Sequence, residues 1–159
     1  MDTSFVIVPY SEAYKDDFRR LNEEWINKYF KIEEMDRVTL HHPKESILDK
    51  GGYIAVALWN SNPVGVCALI PCKYDGFDFE LSKMGVSPKA QGKGIGKLLV
   101  QHIIDQAKQL GAKKIFLESN RKLVPALSLY KKLGFKEITK ISSPYARSDI
   151  QMELTFTDS

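Results

Sequence analysis

Residues 80–97 of the chain read ELSKMGVSPKAQGKGIGK, and this stretch joins a predicted strand, a glycine-rich turn and the start of a helix. Glycines at 92, 94 and 96 fall within five residues, and apolar residues at steps of three and four follow, as on one helical face. Glycines let a ligand approach backbone N–H groups, and a helix N-terminus adds unpaired donors and partial positive charge. With Lys93 and Lys97 adding full charges, the segment predicts a phosphate-binding loop.

Two common phosphate-binding motifs do not fit this spacing. A P-loop needs glycine six residues before its Lys-Ser/Thr pair, but Gln91 stands there relative to Lys97, and Leu98 replaces the hydroxyl that would bind magnesium. The dinucleotide motif G-x-G-x-x-G would need glycine at position 97, and this strand comes late in the chain order. What remains is Gln91, two residues, Gly94, one residue and Gly96.

Hydrophobic periodicity on both sides of the loop predicts a mixed α/β chain. Turn formers at 60–63 indicate an antiparallel hairpin, and Gly85 indicates a bulge in the strand before the loop. Strands are predicted near residues 5–10, 53–59, 64–70, 77–86, 113–118, 135–141 and 149–156. Helices are predicted over 14–29, from Pro43 to the glycines at 51 and 52, over 95–110, and through 126–130 up to Gly134.

Composition places the chain among globular proteins. Its 159 residues are 43% hydrophobic and 27% charged, which fits one domain over 1–159. A formal net charge of +3 is too mild for a dedicated nucleic-acid-binding protein. Because the apolar runs are too short to cross a bilayer and no basic-then-apolar leader opens the chain, we expect a soluble, cytoplasmic protein without a membrane partner.

Cysteines and histidines give no sign of a metal site. Cys67 and Cys72 lack a second pair for zinc and are expected to be buried, reduced thiols, with a regulatory disulfide as the alternative. His41 and His42 are adjacent in the sequence, and adjacent side chains rarely converge on one ion. We therefore expect no metal.

These motifs resemble those of the GNAT superfamily of N-acetyltransferases. The family pattern of Gln or Arg, two residues, Gly, one residue, and Gly or Ala is matched by Gln91, Gly94 and Gly96. Residues 80–88 resemble the family's fourth strand, and 117–120 with 126–135 resemble its fifth strand and next helix, so the likeness spans about 78 to 140. It implies an α/β fold with a central mixed, mostly antiparallel twisted sheet of about six to seven strands and about four helices.

The resemblance also implies acetyl-CoA as acyl-donor cosubstrate. In the family, the loop matching 91–97 binds the pyrophosphate through main-chain N–H groups, and the fourth strand lies along the pantetheine arm. Asn120 matches a position that often hydrogen-bonds this arm; a helix cap is the alternative. The implied cofactor-binding residues are Met84, Gly85, Val86, Gln91, Gly92, Lys93, Gly94, Ile95, Gly96, Lys97, Asn120 and Leu127.

Acetyl transfer to an amine needs a neutral nucleophile, a polarised carbonyl and a proton for the departing thiolate. A lysine-like amine with a pKa of about 10.4 benefits from a base, and Glu80 is the candidate, ahead of Glu118; an ionic contact is the alternative. Tyr130 matches the family's general acid, with a half-buried aromatic as the alternative. A backbone N–H near Met84 or Val86 would polarise the carbonyl. Direct attack in a ternary complex is preferred to a covalent cysteine route.

In the family, the acceptor enters opposite the cofactor, over a surface built by the first helices, the hairpin side and the last two strands, and the resemblance implies the same route here. Acidic groups there suit a cationic amine, whereas Arg147 could hold a substrate carboxylate by a two-pronged contact. Core packing for the aromatics and a solvated loop for the acids are the alternatives. The residues in question are Tyr29, Phe30, Glu33, Glu34, Asp36, Arg37, Tyr145 and Arg147.

The leading prediction is an N-acetyltransferase acting on a primary amine of a small molecule or peptide, as a monomer or homodimer. A non-catalytic acyl-CoA-binding sensor is the first alternative. An RNA-associated domain is the second, suggested by the lysines at 113–114, 131–132, 136 and 140.

Overall fold

The structure, a computed structural model, describes residues 4–139 and 142–156. Its strands are β1 (Phe5–Pro9), β2 (Tyr53–Trp59), β3 (Asn62–Pro71), β4 (Phe79–Val86), β5 (Lys114–Ser119), β6 (Lys136–Ile138) and β7 (Ile150–Thr155). Its α-helices are α1 (Lys15–Tyr29), α2 (Glu34–His41), α3 (Ile95–Gln109) and α4 (Val124–Lys132). Short 3-10 turns cover Glu12–Tyr14 and Pro88–Ala90.

The strands of the described residues form one sheet in the order β1-β2-β3-β4-β5-β7-β6. Neighbours are antiparallel except β4 and β5, whose parallel pairing joins Phe79 with Ile115 and Glu80 with Phe116. Among the described residues, β4 and β5 share no further backbone pairing beyond Glu80, and a cleft opens between the two strands there. The mixed, mostly antiparallel sheet confirms the predicted fold class.

Each face of the sheet packs against its own helices. Successive side chains of a strand point to opposite faces, so Ala55 and Ala57 of β2 join the core beneath α3 and α4, whereas Ile54 and Val56 join the core beneath α1 and α2. Burying one aliphatic side chain contributes roughly 1.5–3 kcal/mol. The two cores therefore hold α1 and α3 on opposite sides of the sheet. None of the helices in the described residues is long and apolar enough to pass through a lipid bilayer.

Two helical segments differ from the prediction. Helix α2 was missed because it has only eight residues and some of its apolar side chains are exposed. A capping box begins it: the Glu33 N–H donates to Asp36 Oδ2 at 2.9 Å, and the Glu33 side chain accepts from the Asp36 backbone. The helix expected from Pro43 is a π-helical turn over Lys44–Leu48, and Pro43 precedes it.

The bulge in β4 lies just before Gly85. Val66 pairs with Gly85 and Ala68 with Ser82, so that two residues of β4, Lys83 and Met84, face one residue of β3. Lys83 takes the left-handed conformation, with φ of 53°. The predicted bulge in β4 is therefore confirmed, directly before Gly85. Gly85 has a further role: a Cβ there would lie 2.5 Å from the Leu21 carbonyl oxygen, so glycine allows α1 to pack closely on β4.

Candidate active site

The cleft between β4 and β5 has a volume of about 580 Å³. The residues after β4, the first turn of α3, the start of α4 and the end of α1 all contribute to its walls. Eleven of the residues predicted for the site line it: Glu80, Met84, Gly85, Val86, Gln91, Gly92, Gly94, Ile95, Gly96, Asn120 and Tyr130.

Three of the predicted cofactor-binding residues do not line this cleft. The Lys93 ammonium lies over the Trp59 ring, 5.2 Å from its centroid. Lys97 borders a separate depression of about 440 Å³ beside α4. Leu127 is only 8% exposed and belongs to the core beneath α3 and α4, because it lies on the buried face of α4. The side chains of Lys93, Lys97 and Leu127 therefore lie outside the cleft.

The glycine-rich loop has an open backbone. Gly92 and Gly94 take left-handed conformations with φ of 79° and 82°, and no atom lies within 4 Å of the position that a Cβ would occupy at either residue. The first N–H groups of α3 have no intrahelical acceptor, as in any helix. Gln91 closes the loop, since its Nε2 donates to the Val86 carbonyl at 3.2 Å. This arrangement fits an anionic group bound by main-chain donors.

Tyr130 lies on the α3–α4 side of the cleft. The buried face of α4 carries it, its side chain packs against the Phe135 ring at 5.8 Å, and the residue is 6% exposed. Burial, with a smaller contribution from Cys67, raises the pKa of the Tyr130 phenol above its ordinary value. The hydroxyl therefore keeps its proton at neutral pH, as a general acid requires.

Glu80 and Glu118 line the cleft from neighbouring strands. Phe79 and Leu81 flank Glu80 and pack in the α3–α4 core, so Glu80 points to the other face. Burial and then the charge of Glu118 raise the pKa of Glu80 to about 7, against the opposing charges of Lys83 and Lys73. A carboxyl group that titrates near neutral pH is suited to accept a proton from an amine.

Asn120 is committed to the turn before α4. Its Nδ2 donates to the Arg147 carbonyl at 2.7 Å, and its Oδ1 accepts from the Lys122 N–H at 2.9 Å. The second contact is a local side-chain-to-backbone turn rather than an N-cap, because Leu123 is the N-cap of α4. Asn120 nevertheless lines the cleft.

A buried ionic network at one wall of the cleft was not predicted. Asp36 Oδ1 accepts from Lys83 Nζ at 2.9 Å, and both Asp36 oxygens accept from the Arg147 guanidinium at 2.7 Å. Burial alone would raise the pKa of Asp36, but hydrogen bonds from Arg147 and the charge of Lys83 lower it to about 2. Arg147 also donates to Glu33 Oε2 at 3.2 Å, and Lys83 to the Tyr145 hydroxyl at 3.0 Å.

This network corrects the expectation for Arg147. Its two-pronged contact is already made within the protein, to Asp36, and a substrate carboxylate would have to displace that residue. The sequence holds one sign of the network: Lys83 stands among apolar residues in a strand, and a buried lysine needs an acidic partner. The identity of that partner, 47 positions away, is set by the fold.

Aromatic side chains from the end of α1 complete the cleft. Trp25, Tyr29 and Phe30 all line it, and Tyr29 is 43% exposed rather than packed in the core. The Arg147 guanidinium lies 5.8 Å from the Trp25 ring centroid, and the Lys122 ammonium lies 5.3 Å from that of Phe30. The alternative of core packing holds for Phe30, which also packs against the core beneath α1 and α2, but not for the exposed Tyr29.

Cysteines and metal ligands are not gathered in the cleft. Cys67 is buried in β3 and Cys72 is partly buried, both as free thiols, and burial raises the pKa of each. Within residues 4–139 and 142–156, no three His, Cys, Asp or Glu side chains are grouped so that they could hold a metal ion.

The known sequences that this chain resembles are those of N-acetyltransferases. Residues 11–135 match the profile of the Acetyltransferase (GNAT) family. An uncharacterized N-acetyltransferase of Schizosaccharomyces pombe is 29% identical over 138 residues, 85% of this chain and 82% of the relative. An uncharacterized N-acetyltransferase of Escherichia coli, YjgM, is 41% identical over 59 residues, which is 37% of this chain and only 35% of that relative's length.

Solved structures show the same fold. The crystal structure of a GNAT-family acetyltransferase from Staphylococcus aureus superposes with a TM-score of 0.85 at 24% identity, covering 96% of this chain and 99% of that chain. YncA of Salmonella typhimurium, determined with acetyl-CoA, superposes with a TM-score of 0.75 at 18% identity, covering 98% of this chain and 96% of that chain.

Proposed function

Because this chain belongs to the GNAT family of acetyltransferases, we propose that it transfers the acetyl group of acetyl-CoA to a primary amine of a small molecule or peptide, by direct attack in a ternary complex. The observation that carries the proposal is the cleft between β4 and β5, which has the glycine-rich loop along one wall and both Glu80 and Tyr130 along others. The same cleft thus combines an anion cradle, a base and an acid.

The cofactor would be held mainly by backbone. The N–H groups of residues 91–97 would bind its diphosphate, which fits the open, left-handed backbone at Gly92 and Gly94. Met84, Gly85 and Val86, beyond the bulge of β4, would contact the pantetheine arm, together with Asn120. Bound there, acetyl-CoA supplies a thioester carbonyl and a thiolate leaving group.

Two side chains would move the protons. Glu80 accepts a proton from the acceptor ammonium, directly or through water, since its pKa of about 7 makes it a carboxylate for about half of the molecules at neutral pH. Tyr130, which burial keeps protonated, donates its hydroxyl proton to the departing sulfur and regains a proton from the nitrogen of the new amide, so that the two protons lost by the ammonium end on Glu80 and on the thiol. A backbone N–H of β4, at Met84 or Val86, would polarise the carbonyl.

Calorimetry with coenzyme A tests the cofactor site first. We expect saturable binding, and no heat of binding at millimolar coenzyme A would overturn the proposal. Thiol release from acetyl-CoA with a panel of primary amines, followed by mass spectrometry of the products, then tests transfer. Coenzyme A binding without turnover of any amine would instead favour a non-catalytic acyl-CoA-binding module.

A further inference from the structure

The α1–α2 side of the cleft, where the amine would enter, carries charged side chains of both signs, which differ in whether they already have an ionic partner within the protein. We call it the acceptor chamber and define it by Trp25, Phe30, Glu80, Lys83, Glu118 and Arg147, which line the cleft. Lys122 lines the same cleft, with its ammonium 5.3 Å from the Phe30 ring centroid. The other two cations of the chamber are Lys83, from β4, and Arg147, from the segment before β7. Both are paired with Asp36, which lies behind them and receives three hydrogen bonds of 2.7–2.9 Å from the pair, and Glu33 supplies a second negative charge through its contact with Arg147 at 3.2 Å.

The two carboxylates of the acceptor chamber have no such partner. In the described residues, no Lys, Arg or His nitrogen lies within 4 Å of either Glu80 or Glu118. The Glu118 side chain has one long contact, from Gln151 Nε2 at 3.5 Å. Lys83 and Lys73 influence Glu80 only through their charge. Glu80 and Glu118 therefore repel each other whenever both are ionised, and a bound cation would favour the state in which both carry their charge.

The spacing of the two carboxylates follows from the strand register. Glu80 pairs with Phe116, and Glu118 lies two residues further along β5, so it faces the same side of the sheet. Two residues of a strand span roughly 7 Å and neighbouring strands lie about 4.8 Å apart, so the backbones of Glu80 and Glu118 are separated by roughly 8 Å or more. A linear ligand with two amino groups could place one beside each carboxylate, with its alkyl chain in the cleft that Trp25 and Phe30 also line.

We infer that the acceptor is a small aliphatic diamine or polyamine, whose reacting amino group faces Glu80 and whose second ammonium binds Glu118. The inference rests on the proposed function and narrows its substrate class. It disfavours amino acids, because Glu80 and Glu118 would repel a substrate carboxylate and the Arg147 guanidinium is already engaged by Asp36.

Acetylation of three acceptors of equal chain length tests this: an α,ω-diamine, the n-alkylamine and the ω-amino acid. We expect kcat/KM for the diamine to exceed that for the alkylamine by about tenfold or more, as for one partly buried ion pair, and the amino acid to be poorest. Glu118→Gln should reduce the diamine's advantage about tenfold, whereas Glu24→Gln, a change of an exposed carboxylate on α1 outside the cleft, should preserve it.

The outcomes separate the inference from the proposed function. Equal or better turnover of the alkylamine or the amino acid, or an unchanged preference in Glu118→Gln, overturns the inference while leaving acetyl transfer intact. If coenzyme A binds but no amine is acetylated, calorimetry of the diamine in the presence of coenzyme A decides: we expect wild-type binding that Glu118→Gln weakens about tenfold. Undetectable or equal diamine binding in the two proteins also overturns the inference.

Discussion

Arg147 holds both carboxylate oxygens of Asp36 at 2.7 Å, although 111 positions of sequence separate the two residues. Asp36 belongs to the first turns of α2, and Arg147 precedes β7. Lys83, in the bulge of β4, adds a third contact to the same carboxylate. Three distant segments are thereby joined at one wall of the cleft, so the shape of that wall depends on a single buried acid.

Replacing Asp36 by Asn should lower the free energy of unfolding by about 3 kcal/mol at pH 7, since it leaves the buried Lys83 without an acidic partner and Arg147 with Glu33 alone. Urea denaturation measures the change. Glu34→Gln is the matched control on the same helix, because its ion pair with Arg37 is exposed and contributes less than about 1 kcal/mol. Similar losses of unfolding free energy in the two variants would show that the buried Asp36 network contributes no more to stability than an exposed ion pair.

The same carboxyl group predicts a pH dependence of stability. The pKa of Asp36 is about 2 in the folded protein, below its ordinary value of 3.8, so the folded state binds this proton less tightly than the unfolded state. Its contribution to stability is therefore present above about pH 4 and is lost as the pH falls to 2. Acid titration followed by circular dichroism should show this loss of stability between about pH 4 and pH 2 in the wild type, whereas Asp36→Asn should lack it.

Local patterns predicted most of the fold. The strands and helix α3 were found because alternation of apolar residues and steps of three and four depend only on neighbouring positions. Gly111 was found as the end of α3 for the same reason, and it takes a φ of 84°. The glycine-rich loop was recognised from six residues, since phosphate binding by backbone requires glycine at particular spacings.

The remaining features depend on contacts between distant residues. The sequence predicts the bulge at Gly85, whereas the structure has it at Lys83 and Met84. A glycine in a strand indicates either a bulge or a close backbone approach, and only the packing of Gly85 against Leu21 shows that Gly85 serves the close approach. Helix α2 is short and is stabilised by its capping box. The Asp36 network could not be assembled from sequence, since no local rule pairs one lysine among 23 basic residues with one acid among 20.

Glu80 should make activity and stability respond to pH in opposite directions. As the pH rises through about 7, Glu80 loses its proton and becomes a base, so kcat/KM should rise. Its folded pKa of about 7 exceeds the ordinary 4.5, so the folded state binds more protons than the unfolded state between these values. This contribution to stability is present below pH 4.5 and is lost as the pH rises to 7.

Glu80→Gln should remove both dependences. We expect kcat/KM to fall by at least about tenfold while the free energy of unfolding at pH 8 increases, because no charge remains to be buried. Initial rates and urea denaturation at pH 6 and 8 measure the two effects, with Glu24→Gln as the exposed-carboxylate control. An unchanged pH–rate profile would remove Glu80 as the base.

Tyr130→Phe should lower kcat by about tenfold or more, because it removes the proton donor and keeps the ring contact with Phe135. Coenzyme A affinity and the free energy of unfolding should change little. Stopped assays of thiol release measure kcat, and calorimetry measures coenzyme A affinity, so the effect on catalysis is separated from the effect on binding. Tyr14→Phe is the control, since Tyr14 is a partly buried tyrosine outside the cleft. Normal turnover by Tyr130→Phe would falsify the acid assignment.

Gly94 and Gly111 form a matched pair for testing the glycine-rich loop. Their φ values are 82° and 84°, and neither has an atom within 4 Å of the position of an added Cβ. Alanine at either should therefore cost a similar 1–2 kcal/mol of stability, roughly the cost of a left-handed residue. Only Gly94 lies in the proposed diphosphate cradle, since Gly111 follows α3 at its far end.

We accordingly expect Gly94→Ala to weaken coenzyme A binding by about tenfold or more, because the added Cβ projects from the loop whose amides would face the diphosphate. Gly111→Ala should bind coenzyme A like the wild type despite its equal loss of stability. Isothermal titration calorimetry and urea denaturation of both variants measure the two quantities. If both lose affinity equally, the effect is a general loss of stability; if Gly94→Ala binds normally, the loop does not hold the cofactor, and the diphosphate must be bound elsewhere.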